Sequence, residues 1–333
     1  MAKKETCNSC EKFKTMIGGQ ALIEGIMMRG PEKDAIVCRT KDGLDVKVSD
    51  RKLPRKGSAL KWPLIRGVVN FFDSQVTGVR ALLHSADLSP ESDLEEKPSK
   101  FELWLEKKLG NERFQQFLIY SAAVLGVLMC IGLFFLLPMI VSEFFTGIIE
   151  SQVVIHLIEG LVRMAIFMAY MVLVSRMEEM KRLFAYHGAE HKTIRCYEAR
   201  LPLTVENVRV QTRMHPRCGT SFLLVVMILS ILVFTVAVSI LLEVFPALAA
   251  LEGTFLFRLI KIVFKLLLLP LVVAIAYEIN RWVGRHDNAF TRILTAPGLW
   301  MQNFTTNEPD EDMIEVAIAA VQAVLPQEEG ADA

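Results

Sequence analysis

The sequence predicts an α-helical membrane protein with about four transmembrane helices, a small cytoplasmic α+β N-terminal domain and an amphipathic C-terminal helix. Three observations lead to this fold class. The 333-residue chain is 52% hydrophobic with a mean hydropathy of +0.36, too high for a typical soluble protein and too low for a chain made only of spans. Apolar windows of about 20 residues recur along the chain. Basic residues concentrate in one of the connecting loops.

Each predicted transmembrane helix corresponds to one apolar window. The second window carries Glu159 and Arg163, which are four residues apart and most simply pair with each other, the alternative being a proton or ion path. The fourth carries Arg258, Lys261 and Lys265 on one helix face, so these cations either line a polar seam or snorkel toward water. The four windows are residues 117–141, 153–174, 221–242 and 254–279.

The loops between the windows predict the orientation. Segments 142–152 and 243–253 contain no Lys or Arg, whereas 175–219 contains nine. The positive-inside rule therefore places segment 175–219 and both termini in the cytoplasm. With this topology none of the six cysteines faces the outside, which favours free thiols or thiolate ligands over disulfides. Residues 1–14 lack the apolar core of a cleavable signal peptide.

The expected domain boundaries follow from the spans. In the N-terminal unit Asp42-Gly43 is a hairpin signal and residues 58–88 have helical apolar spacing. Residues 309–325 begin with carboxylates and continue as an amphipathic helix. We expect a cytoplasmic β-rich/α unit at 1–88, a linker and interfacial helix at 89–112, transmembrane helices at 113–174, a cytoplasmic His-rich loop at 175–219, transmembrane helices at 220–280, and a cytoplasmic C-terminal segment at 281–333.

The His-rich loop contains the residues best suited to chemistry. His187 and His191 are four residues apart, so on a helix they project from one face as ligands for Zn²⁺ or another divalent metal. Glu190 completes the order H-x-x-E-H, which in inverzincin metalloproteases includes a glutamate that activates water. His215 and Cys218 could complete a four-ligand set, or one of them could leave a position open. Without a metal, the two helical histidines are ordinary polar residues.

Two further pairs of residues have weaker signals. Cys7 and Cys10 have the spacing of half a zinc knuckle or of a redox pair, although a terminus without a role explains them better. His286 and Asp287 follow the last span and could orient a metal ligand, and a solvated helix end explains them equally well.

Four segments of the sequence are long and distinctive: IGGQALIEGIMMRGP, YHGAEHKTIRCYE, HPRCGTSFL and APGLWMQNFTTNEPDEDMIEVAI. They resemble the YqhQ-like family of bacterial membrane proteins, whose members are described as predicted metal-dependent enzymes. The resemblance covers about residues 16–325. It implies a multi-span protein of the bacterial inner membrane and points to His187, Glu190, His191, His215 and Cys218 as the site.

These observations support two functions. In the first, the chain is a metal-dependent hydrolase with Glu190 as the catalytic residue. In the second, it is a non-enzymatic membrane factor with a structural metal, which docks onto the translocon or ribosome and assists membrane-protein insertion or folding. The expected partners are the lipid bilayer, a second copy of the chain, or the translocon or another membrane protein. The balance of 37 basic and 37 acidic residues gives no indication of nucleic acid.

Overall fold

The computed structural model describes residues 13–51, 58–89, 111–286 and 288–326. Almost all of the predicted linker and interfacial helix at 89–112 lies outside these residues, as do Cys7, Cys10 and Asp287. The chain is mostly helical, with a small antiparallel sheet near its N-terminus. It divides into two compact units. The first takes its residues from Met1–Ser92, Val172–Val225 and Ala274–Ala333, and the second from Asp93–Met171 and Val226–Val273.

Besides the sheet, the described part of the chain contains ten α-helices. A π-helical turn at Gly132–Leu136 joins the second and third of them. In chain order they are α1 (Ile65–Leu88), α2 (Asn111–Ile131), α3 (Leu137–Glu143), α4 (Gln152–Val174), α5 (Glu178–Glu198), α6 (Val205–Arg209), α7 (Gly219–Val244), α8 (Phe255–Arg285), α9 (Ala289–Thr305) and α10 (Glu311–Val324).

The sheet of the first unit has four antiparallel strands in sequential order, β1 (Gly18–Leu22), β2 (Gly25–Arg29), β3 (Lys33–Thr40) and β4 (Gly43–Asp50). Thr40 pairs with Gly43, so a two-residue turn joins β3 to β4 and the predicted hairpin at Asp42-Gly43 is confirmed. Gly43 has a φ of +129°, which glycine adopts without a steric penalty. Strand alternation buries Ile26, Met28, Ala35 and Val37 in one cluster.

Helices α5 and α10 cover this face of the sheet. Helix α10 begins at Asp310, whose side chain accepts a hydrogen bond from the backbone N–H of Met313 at 2.9 Å and so caps the helix. The side chains that α5 and α10 bury against the sheet include Ala185, Tyr186, Ala189, Met313, Val316, Ala317, Ala320 and Val321. Helix α5, which carries the H-x-x-E-H segment, is therefore fixed against the N-terminal sheet by the hydrophobic core.

Helix α1 begins later than the apolar spacing predicts. A short 3₁₀ turn occupies Ala59–Lys61, and Leu64 has a φ of +69°, so the helix starts at Ile65 instead of near residue 58. The reason is Pro63, which excludes the preceding residue from the α conformation.

Within the described residues, four helices are long and apolar enough to cross a membrane, in agreement with the four candidate spans that the sequence predicts. They are Tyr120–Glu143, Gln152–Val174, Gly219–Val244 and Phe255–Arg285. The last one continues six residues beyond the predicted window, because backbone hydrogen bonding does not stop where hydropathy falls. In the first span, Pro138 has no N–H to donate to the carbonyl four residues earlier, and the π-helical turn lies just before it.

Candidate metal site

The candidate site is built on the buried face of α5. His187 and His191 are one helical turn apart, and the centroids of their rings are separated by 4.3 Å. Cys218, the residue before α7, approaches them so that its Sγ lies 3.1 Å from Nε2 of His187. One ligand atom from each of the three residues lies within 4.8 Å of the other two. Ligand atoms of a tetrahedral Zn²⁺ are separated by about 3.3–3.6 Å, so small side-chain movements would close this group around an ion.

Backbone carbonyls fix the tautomer of both imidazoles. Nδ1 of His187 lies 2.7 Å from the carbonyl oxygen of Thr305, and Nδ1 of His191 lies 2.6 Å from that of Arg213. Because a carbonyl only accepts hydrogen bonds, each Nδ1 carries a proton and donates it. In the neutral rings Nε2 is then the atom with a free lone pair. This is how proteins orient histidines that bind metals.

The electrostatics of His187 and Cys218 suit a cation. Burial opposes a charge on His187, but Cys218, Glu190 and the carbonyl of Thr305 together outweigh burial and raise the pKa of the imidazole to about 9. Burial would likewise raise the pKa of the Cys218 thiol, but His187 and His191 together outweigh burial and hold that pKa well below its usual range. A buried thiolate thus depends on a positive neighbour, and a divalent ion can take that place once both imidazoles are neutral.

Glu190 is held by the N-terminal sheet. Its Oε1 accepts a hydrogen bond of 3.0 Å from the backbone N–H of Gly19 in β1. Its Oε2 is buried and has no hydrogen-bond partner among the residues that the structure describes. Burial raises the pKa of this carboxyl above its ordinary value. The carboxyl therefore has one anchored oxygen and one oxygen that is free to accept a proton.

His215 lies beside these three residues, but its ring and its backbone form hydrogen bonds with other residues. Its ring centroid is 5.6 Å from that of His191, and its Nε2 lies 3.4 Å from Oε2 of Glu198. Its backbone N–H donates to Oε1 of Gln302 at 2.8 Å, and its carbonyl accepts from Nε2 of the same amide at 2.7 Å. Burial lowers the pKa of the imidazole to about 4, so the ring is neutral. The role of His215 as a fourth ligand stays a prediction.

Two glycines that the sequence analysis did not assign to the site make its geometry possible. A Cβ at Gly188 would lie 2.0 Å from the carbonyl oxygen of Asn307, so only glycine lets the chain after α9 cross α5 beside His187. A Cβ at Gly19 would lie 2.7 Å from the carbonyl oxygen of Met27. A glycine in the middle of an otherwise helical pattern was the available signal for Gly188.

The four apolar helices and the small sheet define the class of this protein, a multi-span helical membrane protein with a His/His/Cys group in its first unit. The chain belongs to the DUF1385 family, described as proteins of unknown function, which matches residues 62–327. It is 32% identical to the uncharacterized protein YqhQ of Bacillus subtilis strain 168, over 341 residues that cover 95% of this chain and 94% of that protein. The resemblance to this family is confirmed, whereas the metal-dependent activity that it implied stays a prediction. No solved structure matches the chain.

Proposed function

We propose that this chain is a bacterial inner-membrane protein that binds a divalent metal ion, Zn²⁺ by the chemistry of the donors, through His187, His191 and Cys218. One observation carries the proposal. Both Nδ1 atoms donate to backbone carbonyls, and Nε2 of His191 is buried without a hydrogen-bond partner among the described residues. A buried ring nitrogen with no partner is costly unless a ligand engages it. Two imidazoles and a thiolate form a donor set that Zn²⁺ prefers.

As an enzyme, the protein would be a metal-dependent hydrolase. Three protein ligands leave one position of a tetrahedral ion open, which is the arrangement of catalytic zinc sites. The ion would supply Lewis acidity to that position when bound. Glu190 would take a proton from water on its free Oε2, while its Oε1 stays bonded to Gly19. A site at the cytoplasmic interface suits a lipid head group or a membrane-bound peptide as substrate.

The alternative is a structural metal in a non-enzymatic membrane factor that docks onto the translocon or ribosome. The way the ligands are anchored favours this function. His187 is tied to the end of α9, His191 to the chain after α6, and Cys218 precedes α7. An ion bound here would hold these segments together, and His191 and Cys218 are only 1% and 6% exposed. A structural zinc site has a fourth protein ligand that closes it, which is the position predicted for His215.

Metal content decides whether the site exists. The wild-type protein, a His187→Ala/His191→Ala variant and a His286→Ala control would be purified in nanodiscs from metal-replete cells without chelators, and their metal content measured by mass spectrometry. The control removes an exposed histidine whose Nδ1 bonds only its own helix. We expect about one ion per chain in the wild type and the control, and none in the double variant. A wild-type protein without metal would overturn the proposal.

Glu190→Gln separates the two functions. The amide keeps the acceptor that Gly19 needs but cannot take a proton, so the metal should remain bound while hydrolysis of head-group or peptide substrates is lost. If hydrolysis is unchanged in Glu190→Gln while the ion stays bound, Glu190 is not the catalytic residue. If the double histidine variant loses its circular dichroism signal together with its ion, the structural role is favoured.

A further inference from the structure

The second unit contains a buried cluster of charges within its candidate spans. Glu159 and Arg163 on α4 pair at 2.7 Å, as the sequence predicts, and Lys265 on α8 donates to the same carboxylate oxygen at 2.5 Å. None of the three side chains is more than 5% exposed. Each lies well inside a helix long and apolar enough to cross a membrane. Ionisable groups at such depth are costly and mark functional sites.

The charges of the cluster do not balance. Among the described residues of this unit, the buried charged side chains are one carboxylate, Glu159, and three cations, Arg163, Lys261 and Lys265. The remaining ion pair, Arg258 with Glu143, is less buried and neutral as a pair. The interior of the unit therefore carries a surplus of positive charge, which a low-dielectric environment disfavours.

Neutral groups already take up part of the bonding capacity of these cations. Arg163 donates through Nε to the carbonyl oxygen of Phe134 at 2.7 Å. This carbonyl is available because Pro138, four residues further along the helix, has no N–H to donate to it. Lys261 lies over the ring of Phe257, with Nζ 4.6 Å from the centroid. These contacts orient the cations, but they add no negative charge.

A small cavity lies against the cluster. Its volume is about 10 Å³, close to the space that one water molecule occupies. Two of its lining groups, Nε2 of His156 and Oγ1 of Thr235, are buried and have no hydrogen-bond partner within the part of the chain that the structure describes. Glu159, Gly160, Arg163, Ile231, Phe234 and Lys265 complete the wall. The cavity has room for one small particle, and it is lined by two unpaired polar atoms and by more cations than carboxylates.

We propose that this cavity is a binding site for a small monovalent anion of the halide class. The hydroxyl of Thr235 can donate a hydrogen bond to an anion, and so can Nε2 of His156 when it carries a proton; Nδ1 of the same ring lies 3.9 Å from Oε2 of Glu159. Arg163 and Lys265 supply the attraction, and they already pair with the Glu159 carboxylate of the same wall. A chloride ion is somewhat larger than a water molecule, so the side chains of the wall must move slightly to admit it, whereas a lipid phosphate is several times larger than the cavity. The anion offsets the surplus charge and satisfies both unpaired atoms.

Chloride is the probe for this site. The full chain would be reconstituted in nanodiscs of phosphatidylcholine in potassium gluconate and titrated with potassium chloride at constant ionic strength. Binding is measured by broadening of the chloride nuclear magnetic resonance line and by thermal unfolding. We expect saturable binding near one chloride per chain and a higher Tm in chloride than in gluconate.

Two variants and one control locate the binding. Lys265→Met should weaken chloride binding by about tenfold or more, because it removes a charge beside the cavity. Thr235→Val keeps the shape of the side chain and should weaken binding by about fivefold, which tests the site even if the lysine variant fails to fold. Arg258→Gln removes a cation that pairs with Glu143 and lies outside the cavity wall, and should leave binding unchanged.

Three outcomes would overturn the proposal. The first is a wild-type protein whose resonance line and Tm are the same in chloride and gluconate. The second is unchanged affinity in Thr235→Val, which would show that chloride binds elsewhere. The third is stabilisation that requires phosphatidylglycerol in the nanodisc and not chloride, which would identify a lipid head group as the anion.

Discussion

Alanine at position 188 should destabilise the first unit and weaken its candidate metal site together. The added Cβ would lie 2.0 Å from the carbonyl oxygen of Asn307. An ordinary contact between carbon and a carbonyl oxygen is about 3.3 Å, so the two atoms must separate by about 1.3 Å. The obstacle is backbone and cannot rotate away. The chain that follows α9 must therefore move away from α5.

Two hydrogen bonds depend on the position of that chain. The backbone N–H of Asn307 donates to the carbonyl oxygen of Phe184 at 2.8 Å, and His187 donates to Thr305 at 2.7 Å. Each such bond contributes about 1 kcal/mol, and overpacking costs about 1–3 kcal/mol. The better helix propensity of alanine offsets about 1 kcal/mol. We expect a net destabilisation of about 2–4 kcal/mol and a metal affinity that falls by about 10- to 100-fold, as when an orienting partner of a ligand is lost.

The assay is thermal unfolding in nanodiscs beside a metal titration of the same samples. A loss of this size corresponds to a fall in Tm on the order of 10 °C for a unit of this length. Gly126→Ala is the matched control, because a Cβ at that helical position has no atom within 4 Å. The control should unfold at or slightly above the wild-type temperature. The reasoning is refuted if Gly188→Ala matches the control in both Tm and metal affinity.

Three further predictions concern the same unit. Gln302→Leu should lower the free energy of unfolding of the first unit by about 2–4 kcal/mol, because the buried N–H and carbonyl of His215 both lose their partner. Denaturant unfolding measures the change, and a value below about 0.5 kcal/mol would contradict the prediction. Asn288→Ala should cost about 1 kcal/mol by removing the capping box with Thr291 at the start of α9, and Asn288→Ser should restore most of it. Chelation of the wild-type protein should lower Tm, because an ion at about 1,000 times its Kd stabilises by about 4 kcal/mol; an unchanged Tm would argue against a bound ion.

The parts of the fold that could be predicted are those that local pattern controls. Hydropathy over about 20 residues identified the four spans, since a bilayer imposes that length on any helix that crosses it. The dipeptide Asp42-Gly43 identified the hairpin, since few residues tolerate the turn. The start of α1 was predicted too early, because the apolar spacing continues across Pro63 whereas the helix begins only after it.

The candidate site was predictable in its residue types but not in its arrangement. Helical periodicity places His187 and His191 on one face without any tertiary information. Nothing in the local pattern distinguishes Cys218 from His215, which are three residues apart in one loop. In the structure Cys218 lies within the group formed with His187 and His191, and Gln302 bonds both backbone groups of His215 from 87 residues away. No local sequence pattern predicts a contact between two residues so far apart in the chain.

In the proposed hydrolase, the anchoring of Glu190 would separate proton transfer from metal binding. The imidazoles of His187 and His191 are oriented by carbonyls that follow α9 and α6, whereas the carboxylate is oriented by an amide of β1. A displacement of the sheet would therefore move the proton acceptor relative to the ion without removing a ligand. Gly19 couples the sheet to the carboxylate directly, because its backbone N–H donates to Oε1 of Glu190 at 3.0 Å. A carboxylate positioned in this way is what the proposed hydrolase requires, whereas the buried anchoring of the ligands is what the structural alternative requires, and Glu190→Gln distinguishes the two.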